Sequence, residues 1–283
     1  MNVISELKNR EIAVAVWSLI LLFWAFSISD VRHSLLRLLK AFFVRKIIVP
    51  FALMLFYVFL IVIFYEKVHF WDTSATKDTI FWTAGTAFAT LFNLNKVVED
   101  ENYFKKAILD NIKLVLILEF IFNLYSFSLL IELVLVPIVS LIVMLNVIAK
   151  SKPEYKQVKV LLDYALALFG LVIIIFTFRE IFVDFQNFAT IKNLRDFFLP
   201  PLFTITFFPF VYFMALYMQY EDLFVRVDFA NKNSSSTKYA KQKIFATFHL
   251  NLSKLTKFSK NVGFANFNSK GDVSDLIKKV RGQ

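Results

Sequence analysis

The sequence predicts an all-α polytopic membrane protein with six or seven transmembrane helices and a small basic cytoplasmic C-terminal module. Of the 283 residues, 58% are hydrophobic and only 19% are charged, whereas a soluble domain is about half apolar and about a quarter charged. Long apolar runs recur up to residue 225, and the positive charge is concentrated after it. We therefore expect a transmembrane domain over 1–225 and a basic tail module over 226–283.

The apolar runs predict the individual spans, because a helix needs about 20 apolar residues to cross ~30 Å of hydrocarbon. Segment 114–149 has 36 residues, too many for one helix, and its cluster of Asn123, Tyr125, Ser126 and Ser128 predicts a turn. Segment 79–94 has only 16 residues and either spans or is re-entrant. The predicted spans are 12–29, 47–65, 79–94, 108–126, 129–149, 160–178 and 199–220.

The distribution of Lys and Arg does not distinguish six transmembrane spans from seven. Seven spans place 25 basic residues inside and 7 outside, with the N-terminus outside; six spans place 24 inside and 8 outside, with the N-terminus inside. Both satisfy the positive-inside rule and make the basic tail cytoplasmic. Loop 30–46 has five basic residues and one acid, which favours seven spans in a bacterial inner membrane.

Loop 30–46 is itself amphipathic. Its leucines and phenylalanines form one arc of a helical wheel, and His33, Ser34, Arg37, Lys40 and Arg45 form the other. This pattern is typical of a helix lying in the interface with its cations toward lipid headgroups. A basic connector that sets the topology is an equal alternative.

A polar stripe runs along segment 79–94. At 100° per residue, spacings of 4, 3, 4 and 3 put its members on one face of a helix. Repeated around the axis of a homo-oligomer, such a face lines a hydrated pore of weak selectivity. Alternatively the hydroxyls bond back to the i−4 carbonyl, or Gly85-x-x-x-Ala89 packs against another helix. The stripe, and the predicted pore lining, consists of Thr79, Thr83, Thr86, Thr90 and Asn93.

Several ionisable side chains fall inside predicted spans. A charge in mid-membrane costs ~3 kcal/mol on insertion scales, so Glu119 is the first functional candidate, with Asn123 one turn later able to bond it. Glu132 and Asp163 lie near the ends of their spans, and Asn146 fits a helix–helix hydrogen bond.

The sequence lacks the motifs of an enzyme. There is no cysteine, and His33, His69 and His249 are far apart, so no metal-ligand spacing occurs. No P-loop, potassium-channel filter or pair of intramembrane aspartates is present. We expect no catalytic residue, no metal and no cofactor.

The tail carries twelve Lys/Arg against three acids, a net +9 of the chain's +10. Interleaved cations and aromatic rings fit single-stranded nucleic acid or a nucleotide, and the same composition fits anionic lipid headgroups. Alternating apolar residues from 243 to 253 predict a strand, and 273–281 predicts a short helix. The predicted ligand-binding residues are Lys238, Lys241, Lys243, Lys254, Lys257 and Lys260.

In overall organisation the chain resembles the channel-type membrane effectors of bacterial anti-phage defence, with the effector of the Hailong system nearest. The likeness lies in a small cysteine-free membrane protein with a polar-striped helix and a basic cytosolic tail. The resemblance implies an oligomeric ion channel that a nucleotide polymer holds shut and that opens during infection to depolarise the host in anti-phage defence.

Three functions follow from these patterns. The first is a homo-oligomeric channel or pore gated through the tail by a cytoplasmic anionic ligand. The second is a non-conducting membrane anchor whose tail binds a partner. The third is a secondary transporter that uses Glu119 as its coupling carboxylate.

Overall fold

The computed structural model describes residues 7–100, 102–112, 126–183, 185–188, 190–230 and 234–262. These ranges are helical and contain no strand. In chain order the helices are α1 (Asn9–Ser27), α2 (Ser29–Phe42), α3 (Arg45–Lys67), α4 (Thr76–Trp82), α5 (Phe88–Phe92), α6 (Leu94–Glu99), α7 (Tyr103–Ile112), α8 (Leu129–Lys150), α9 (Lys156–Val183), α10 (Phe185–Phe188), α11 (Ile191–Ala230), α12 (Ser234–Phe248) and α13 (Leu252–Val262).

Five segments are helices long and apolar enough to cross a membrane. They are α1, α3, α8, α9 with its preceding turn, and α11 as far as Phe229. Each contains or overlaps one predicted span, so the prediction of an all-helical chain with several apolar spans is confirmed. Of the predicted span 108–126, only the end of α7 is described up to Ile112, and residues 113–125 lie outside the described part. The count of six or seven stays a prediction.

Segment 79–94 is not one regular α-helix. It begins in α4, passes through a π-helical turn at Thr83–Ala87, continues as α5 and breaks at Asn93 before α6. In the π-turn the Phe88 N–H bonds to the Thr83 carbonyl five residues back. A π-turn shifts the angular position of every later side chain, so the 100° spacing that defined the stripe does not hold through this segment.

The chain divides into two compact units. The first contains Met1–Ile48, Asp72–Thr79 and Asp110–Pro200, and the second contains Val49–Trp71, Ile80–Leu109 and Pro201–Gln283.

In the first unit, α1 and α8 begin side by side. The Asn9 side-chain amide donates to the Phe127 carbonyl at 2.9 Å, and the Trp17 indole N–H donates to the Leu133 carbonyl at 2.8 Å. The two helices therefore run in the same direction. A short turn over 151–155 then reverses the chain into α9, where the Asn146 amide donates to Asp163 at 2.7 Å. The start of α1 and the 151–155 turn consequently lie at opposite ends of this unit.

Helix α2 follows α1 almost directly and has no buried residue. The described helix contains most of the predicted amphipathic loop 30–46. Its contact with a lipid interface stays a prediction.

The second unit is organised around aromatic side chains of α3, α4 and α11. The Trp82 indole N–H donates to the Thr204 hydroxyl at 3.0 Å, and its ring packs edge-on against Phe203 and Phe207. Tyr65 stacks on Phe203, with its hydroxyl 2.6 Å from that of Thr206. Buried aromatic pairs of this kind add about 0.5–1.5 kcal/mol each beyond their area, so they fix α3 and α4 against α11.

The described tail is a helical hairpin that packs on the end of α11. Helices α12 and α13 bury one face, and the Phe248 and Phe258 rings lie 4.8 Å apart. Asn251 accepts the Lys254 backbone N–H at 2.9 Å and so caps α13. The hairpin is held to α11 by Tyr220, whose hydroxyl donates to the His249 carbonyl at 2.7 Å.

The predicted strand at 243–253 is wrong, because this segment ends α12, turns and enters α13. Ala240, Ile244 and Phe248 are buried at a spacing of four, which is a helical period. The alternation that predicted a strand included Ala246 and Leu250, and both are exposed. The predicted helix at 273–281 lies outside the described residues.

Candidate ligand-binding site

A cavity of about 220 Å³ lies within the second unit, where α6, the end of α11 and α13 meet. Each of the three helices contributes polar side chains. The lining residues are Asn95, Val98, Glu99, Gln219, Arg226, Thr256, Ser259 and Lys260.

Arg226 joins the end of α11 to the tail. One guanidinium nitrogen donates to the Ser259 carbonyl at 3.0 Å, and the other donates to the Ser259 hydroxyl at 2.5 Å and to Asp222. Asp222 lies one turn earlier on the same helix, so local sequence spacing positions this pair. The third nitrogen, Nε, is buried, and its N–H has no hydrogen-bond partner in the described part of the chain.

Thr256 is the second lining residue with an unused polar atom. Its side chain is 7% exposed, and its buried hydroxyl has no partner among the described residues. By contrast, the Thr90, Thr206 and Thr247 hydroxyls donate to the carbonyl four residues earlier. Leaving a buried hydroxyl unpaired costs about 1–3 kcal/mol. Arg226 and Thr256 therefore leave two buried donors unused among the residues that line the cavity.

The formal charges at the cavity are mixed. Arg226 and Lys260 supply cations, and Glu99 supplies one carboxylate. Both Glu99 and Lys260 are exposed, whereas Thr256 and Ser259 are buried. The deep part of the cavity is consequently rich in donors, while charges of both signs lie at its solvent-exposed side.

Only Lys260 of the six predicted tail lysines lines the cavity. Lys241 pairs with Asp228, its ammonium nitrogen 2.6 Å from the carboxylate, and lies 5.6 Å from the centre of the Phe224 ring. The other four, Lys238, Lys243, Lys254 and Lys257, are exposed and do not line it.

Sequence reasoning missed Arg226, Thr256 and Ser259. Arg226 reads as one half of an i, i+4 ion pair with Asp222, and a threonine or serine in a lysine-rich tail carries no distinguishing pattern. Their role depends on packing between α11 and α13, which no local spacing reports. Glu99 lies six residues after the end of the polar stripe, and this position near the stripe was its only signal in the sequence.

The stripe residues have differing environments. Thr79 is buried, Thr83 and Thr90 are half-buried, and Thr86 and Asn93 are exposed. Thr79, Thr90 and Asn93 donate to the carbonyls of Ala75, Thr86 and Ala89 at 2.9, 2.7 and 2.7 Å. These bonds are the local alternative to a water-lined path. Pore lining by the stripe stays a prediction.

The predicted intramembrane pair Glu119 and Asn123 lies outside the described residues. Glu132 is 2% exposed and accepts from the Arg10 guanidinium at 3.2 Å and from the Phe127 backbone N–H at 2.9 Å. Asp163 accepts from Lys159 at 2.5 Å and from the Asn146 amide, so the hydrogen bond predicted for Asn146 is present.

A second group of charges lies in the first unit, near the start of α1. The Lys77 ammonium is 3.1 Å from the Glu11 carboxylate. Burial and then Lys77 lower the pKa of Lys8, and burial raises the pKa of Asp78. Opposite charges thus compensate one another here, as in a structural network.

Asp72 belongs to the same unit and binds Arg195 at the start of α11. Hydrogen bonds from Ser74 and from Arg195 lower the pKa of Asp72 to about 2. Arg195 also donates to the Ser74 hydroxyl at 2.8 Å. Each guanidinium nitrogen of Arg195 thus donates to an acceptor. At the cavity of the second unit, by contrast, the Nε–H of Arg226 has no acceptor in the described part of the chain.

The fold and the cavity define a class of protein: a polytopic helical chain, compatible with membrane insertion, whose C-terminal helices form a polar cavity with the end of its last long helix. Comparison with protein-family models, with curated proteins and with solved structures gives no match to this chain. Within the described residues, no group of three or more histidine, aspartate or glutamate side chains is arranged to hold a metal ion.

Proposed function

We propose that the protein is a homo-oligomeric channel or pore of the bacterial inner membrane, gated by a cytoplasmic anionic ligand that binds in the cavity. The observation that supports this proposal is the composition of the cavity wall. Helix α6 lines the cavity together with α13 of the basic tail, and α6 begins at Leu94, directly after the polar stripe ends at Asn93.

This arrangement couples ligand binding in the cavity to the position of the stripe segment. A ligand held by Arg226 and Thr256 also touches the α6 side of the cavity at Asn95 and Glu99. A ligand shifts an equilibrium only when it binds two conformations with different affinity. Because α6 and the stripe segment are contiguous in the chain, a shift of α6 moves the predicted pore lining.

The stripe segment has features suited to such movement. Its π-turn at Thr83–Ala87 interrupts the α-helical hydrogen bonding, and π-turns within helices recur at functional sites. Uncharged hydroxyls lining a path favour conduction of weak selectivity. Opening such a path in the inner membrane depolarises the cell, which is the role in anti-phage defence that the overall resemblance implies.

Ion flux from liposomes that contain the purified full chain tests the proposal. Thr86→Leu, at an exposed stripe position, is expected to reduce flux at least severalfold, because it replaces a hydroxyl with a bulkier apolar group. Ala84→Leu is the matched control, since it adds the same side chain at an exposed position of the same segment that is not one of the stripe residues. Equal flux in both variants and the wild type would contradict the pore assignment.

Ligand gating is tested in the same liposomes by adding a single-stranded oligonucleotide or a mononucleotide. The proposal expects one of these anions to change flux, and expects Lys260→Gln to weaken that effect because Lys260 lines the cavity. Flux that both anions and the Lys260 variant leave unchanged rules out gating through the cavity.

A non-conducting anchor is the second candidate function. The hydrogen bonds from Thr90 and Asn93 to their own backbone favour it, because they satisfy polar groups that a water-filled path would otherwise solvate. This function predicts no flux, silent stripe substitutions and ligand binding that persists.

A further inference from the structure

We propose that the cavity between α6, α11 and α13 binds a phosphate group, carried as an ester on a soluble small molecule or on a lipid headgroup. This inference names the ligand class of the proposed gating site and rests on the proposed function only for its role in gating. The binding itself rests on the geometry of the cavity.

The unused atoms of the cavity are suited to phosphate. Arg226 Nε–H and the Thr256 hydroxyl are buried and unpaired in the described part of the chain, and Lys260 adds an ammonium group at the exposed side. Arginine and lysine are donors only, and a hydroxyl can also donate. The oxygens of a phosphate diester accept hydrogen bonds, so each of these three groups is of a type that phosphate recognises. Because the Arg226 Nε and the Thr256 hydroxyl are buried, a small side-chain adjustment has to accompany binding for them to reach the ligand.

The guanidinium is held in place before the ligand arrives. Both terminal nitrogens donate to Ser259 or Asp222, whereas Nε has no partner in the described part of the chain. A pre-positioned donor loses little freedom on binding. Arg226 therefore fastens the tail to α11 and keeps one unused donor in the wall of the cavity.

The size of the cavity limits what can enter. Its volume of about 220 Å³ is below the ~300–1,000 Å³ typical of pockets for drug-sized ligands. A phosphate with a few attached atoms fits, with the remainder of the molecule outside. Several stacked nucleotides do not fit inside it.

The position along α11 brings the cavity within reach of both sources of phosphate. The apolar part of α11 ends near Tyr220, and Arg226 follows six residues later, which is about 9 Å along a helix. The headgroup layer is roughly 5–8 Å thick on each side of the hydrocarbon. A lipid phosphate and a soluble phosphate ester can both reach this level.

The Glu99 carboxylate makes the cavity less favourable for a ligand that carries two negative charges. It lines the same cavity as Arg226 and Lys260, and Asp222 already pairs with Arg226. A singly charged phosphodiester consequently meets less repulsion than a dianionic monoester. Glu99→Gln is expected to strengthen phosphate binding about two- to fivefold, as for an exposed charge interaction; weaker binding in this variant would indicate a cationic ligand and overturn the inference.

The central test replaces Thr256 with Val in the full chain. Valine matches threonine in shape, and removing an unpaired buried hydroxyl is neutral or stabilising. Thr256→Val is therefore expected to unfold at the wild-type temperature or above, yet to bind phosphate esters at least about tenfold more weakly, since a hydrogen bond to a charged group is lost. Thr247→Val is the matched control, because the Thr247 hydroxyl bonds to the Lys243 carbonyl and does not line the cavity.

Native mass spectrometry of the detergent-released protein measures the binding. One arm adds cyclic adenosine monophosphate, a soluble singly charged phosphodiester, and the other adds phosphatidylglycerol with a neutral diacylglycerol as reference. Retention of a phosphate species that falls in Thr256→Val but not in Thr247→Val supports the inference, and the arm that shows it identifies the source. No retention in either arm, or equal retention in both variants, overturns it.

The inference and the proposed function fail in different ways. Phosphate retention without ion flux removes the channel and keeps the phosphate site. Flux that an oligonucleotide changes equally in the wild type and in Thr256→Val keeps the channel and removes the phosphate site from its gating.

Discussion

Glu132 shows how a single charge is accommodated at the end of an apolar helix. Its side chain is 2% exposed, and it accepts from Arg10 of α1 while also bonding to the Phe127 backbone N–H. A carboxylate in the first turn of α8 also interacts favourably with the helix dipole. Glu132 thus ties the beginning of α8 to the beginning of α1.

Removing Arg10 should expose the dependence of Glu132 on its partner. Arg10→Met leaves a buried carboxylate without its counter-ion, and we expect a loss of about 3 kcal/mol of unfolding free energy. Thermal unfolding in detergent, followed by tryptophan fluorescence, measures the change. The double variant Arg10→Met with Glu132→Leu should recover most of the loss, because no buried charge remains.

Arg32→Met provides the control for that experiment, since Arg32 is exposed on α2. It should leave the unfolding temperature within the range of ordinary surface substitutions, about ±0.5 kcal/mol. An Arg10 variant as stable as the Arg32 variant would show that the ion pair contributes nothing to the first unit.

At the scale of elements, the parallel start of α1 and α8 bears on membrane orientation. The start of α1 and the 151–155 turn lie at opposite ends of the first unit. If the 151–155 turn is cytoplasmic, as the positive-inside rule predicts, the start of α1 is outside. The outside N-terminus stays a prediction, and the parallel start of α1 and α8 makes it testable.

Cysteine labelling tests this orientation cleanly, because the native chain has no cysteine. We expect a cysteine added at the N-terminus and one at Glu154, which is exposed in the turn, to react with an impermeant maleimide from opposite sides of sealed membrane vesicles. Labelling of both from the same side would contradict the parallel arrangement of α1 and α8.

The elements also show where local patterns fail. Segment 79–94 has the spacing of a polar helix face, but its π-turn and the break at Asn93 change the direction of the later side chains. Segment 243–253 alternates as a strand does, but its buried residues follow a period of four. Local spacing takes no account of tertiary packing, and both segments pack on α11, through the Trp82 ring and through the Tyr220 bond to the His249 carbonyl.

At the scale of the whole molecule, the exposed small and polar surface of the stripe segment predicts self-association. Gly85 and Ala89 are exposed, and a Cβ at Gly85 would meet nothing within 4 Å. Small residues four apart allow close helix approach in membranes, and exposed polar groups there need protein or water. Copies of the chain arranged around an axis would bring the small residues close to a neighbouring helix and would give the polar groups protein or water as partners.

Native mass spectrometry measures the number of copies, and we expect the wild-type protein to show masses at a multiple of the 33.0 kDa chain. Gly85→Leu should shift the distribution toward the single chain, because it blocks close approach, whereas Val147→Leu, at an exposed position of α8, should not. A wild-type protein found only as single chains would contradict the homo-oligomer and, with it, a pore made from one stripe per copy.

The sequence by itself determined the fold class, five of the apolar helices and the concentration of charge in the tail, because composition and long apolar runs act over many residues and no single contact reverses them. Only the tertiary structure decided the helical hairpin of the tail, the pairing of Arg10 with Glu132, and the cavity with its unused Arg226 and Thr256 donors. Each of these joins residues distant in the chain. Whether a donor is used or left free depends on which neighbour packing brings to it, and that information is absent from residue type and local spacing.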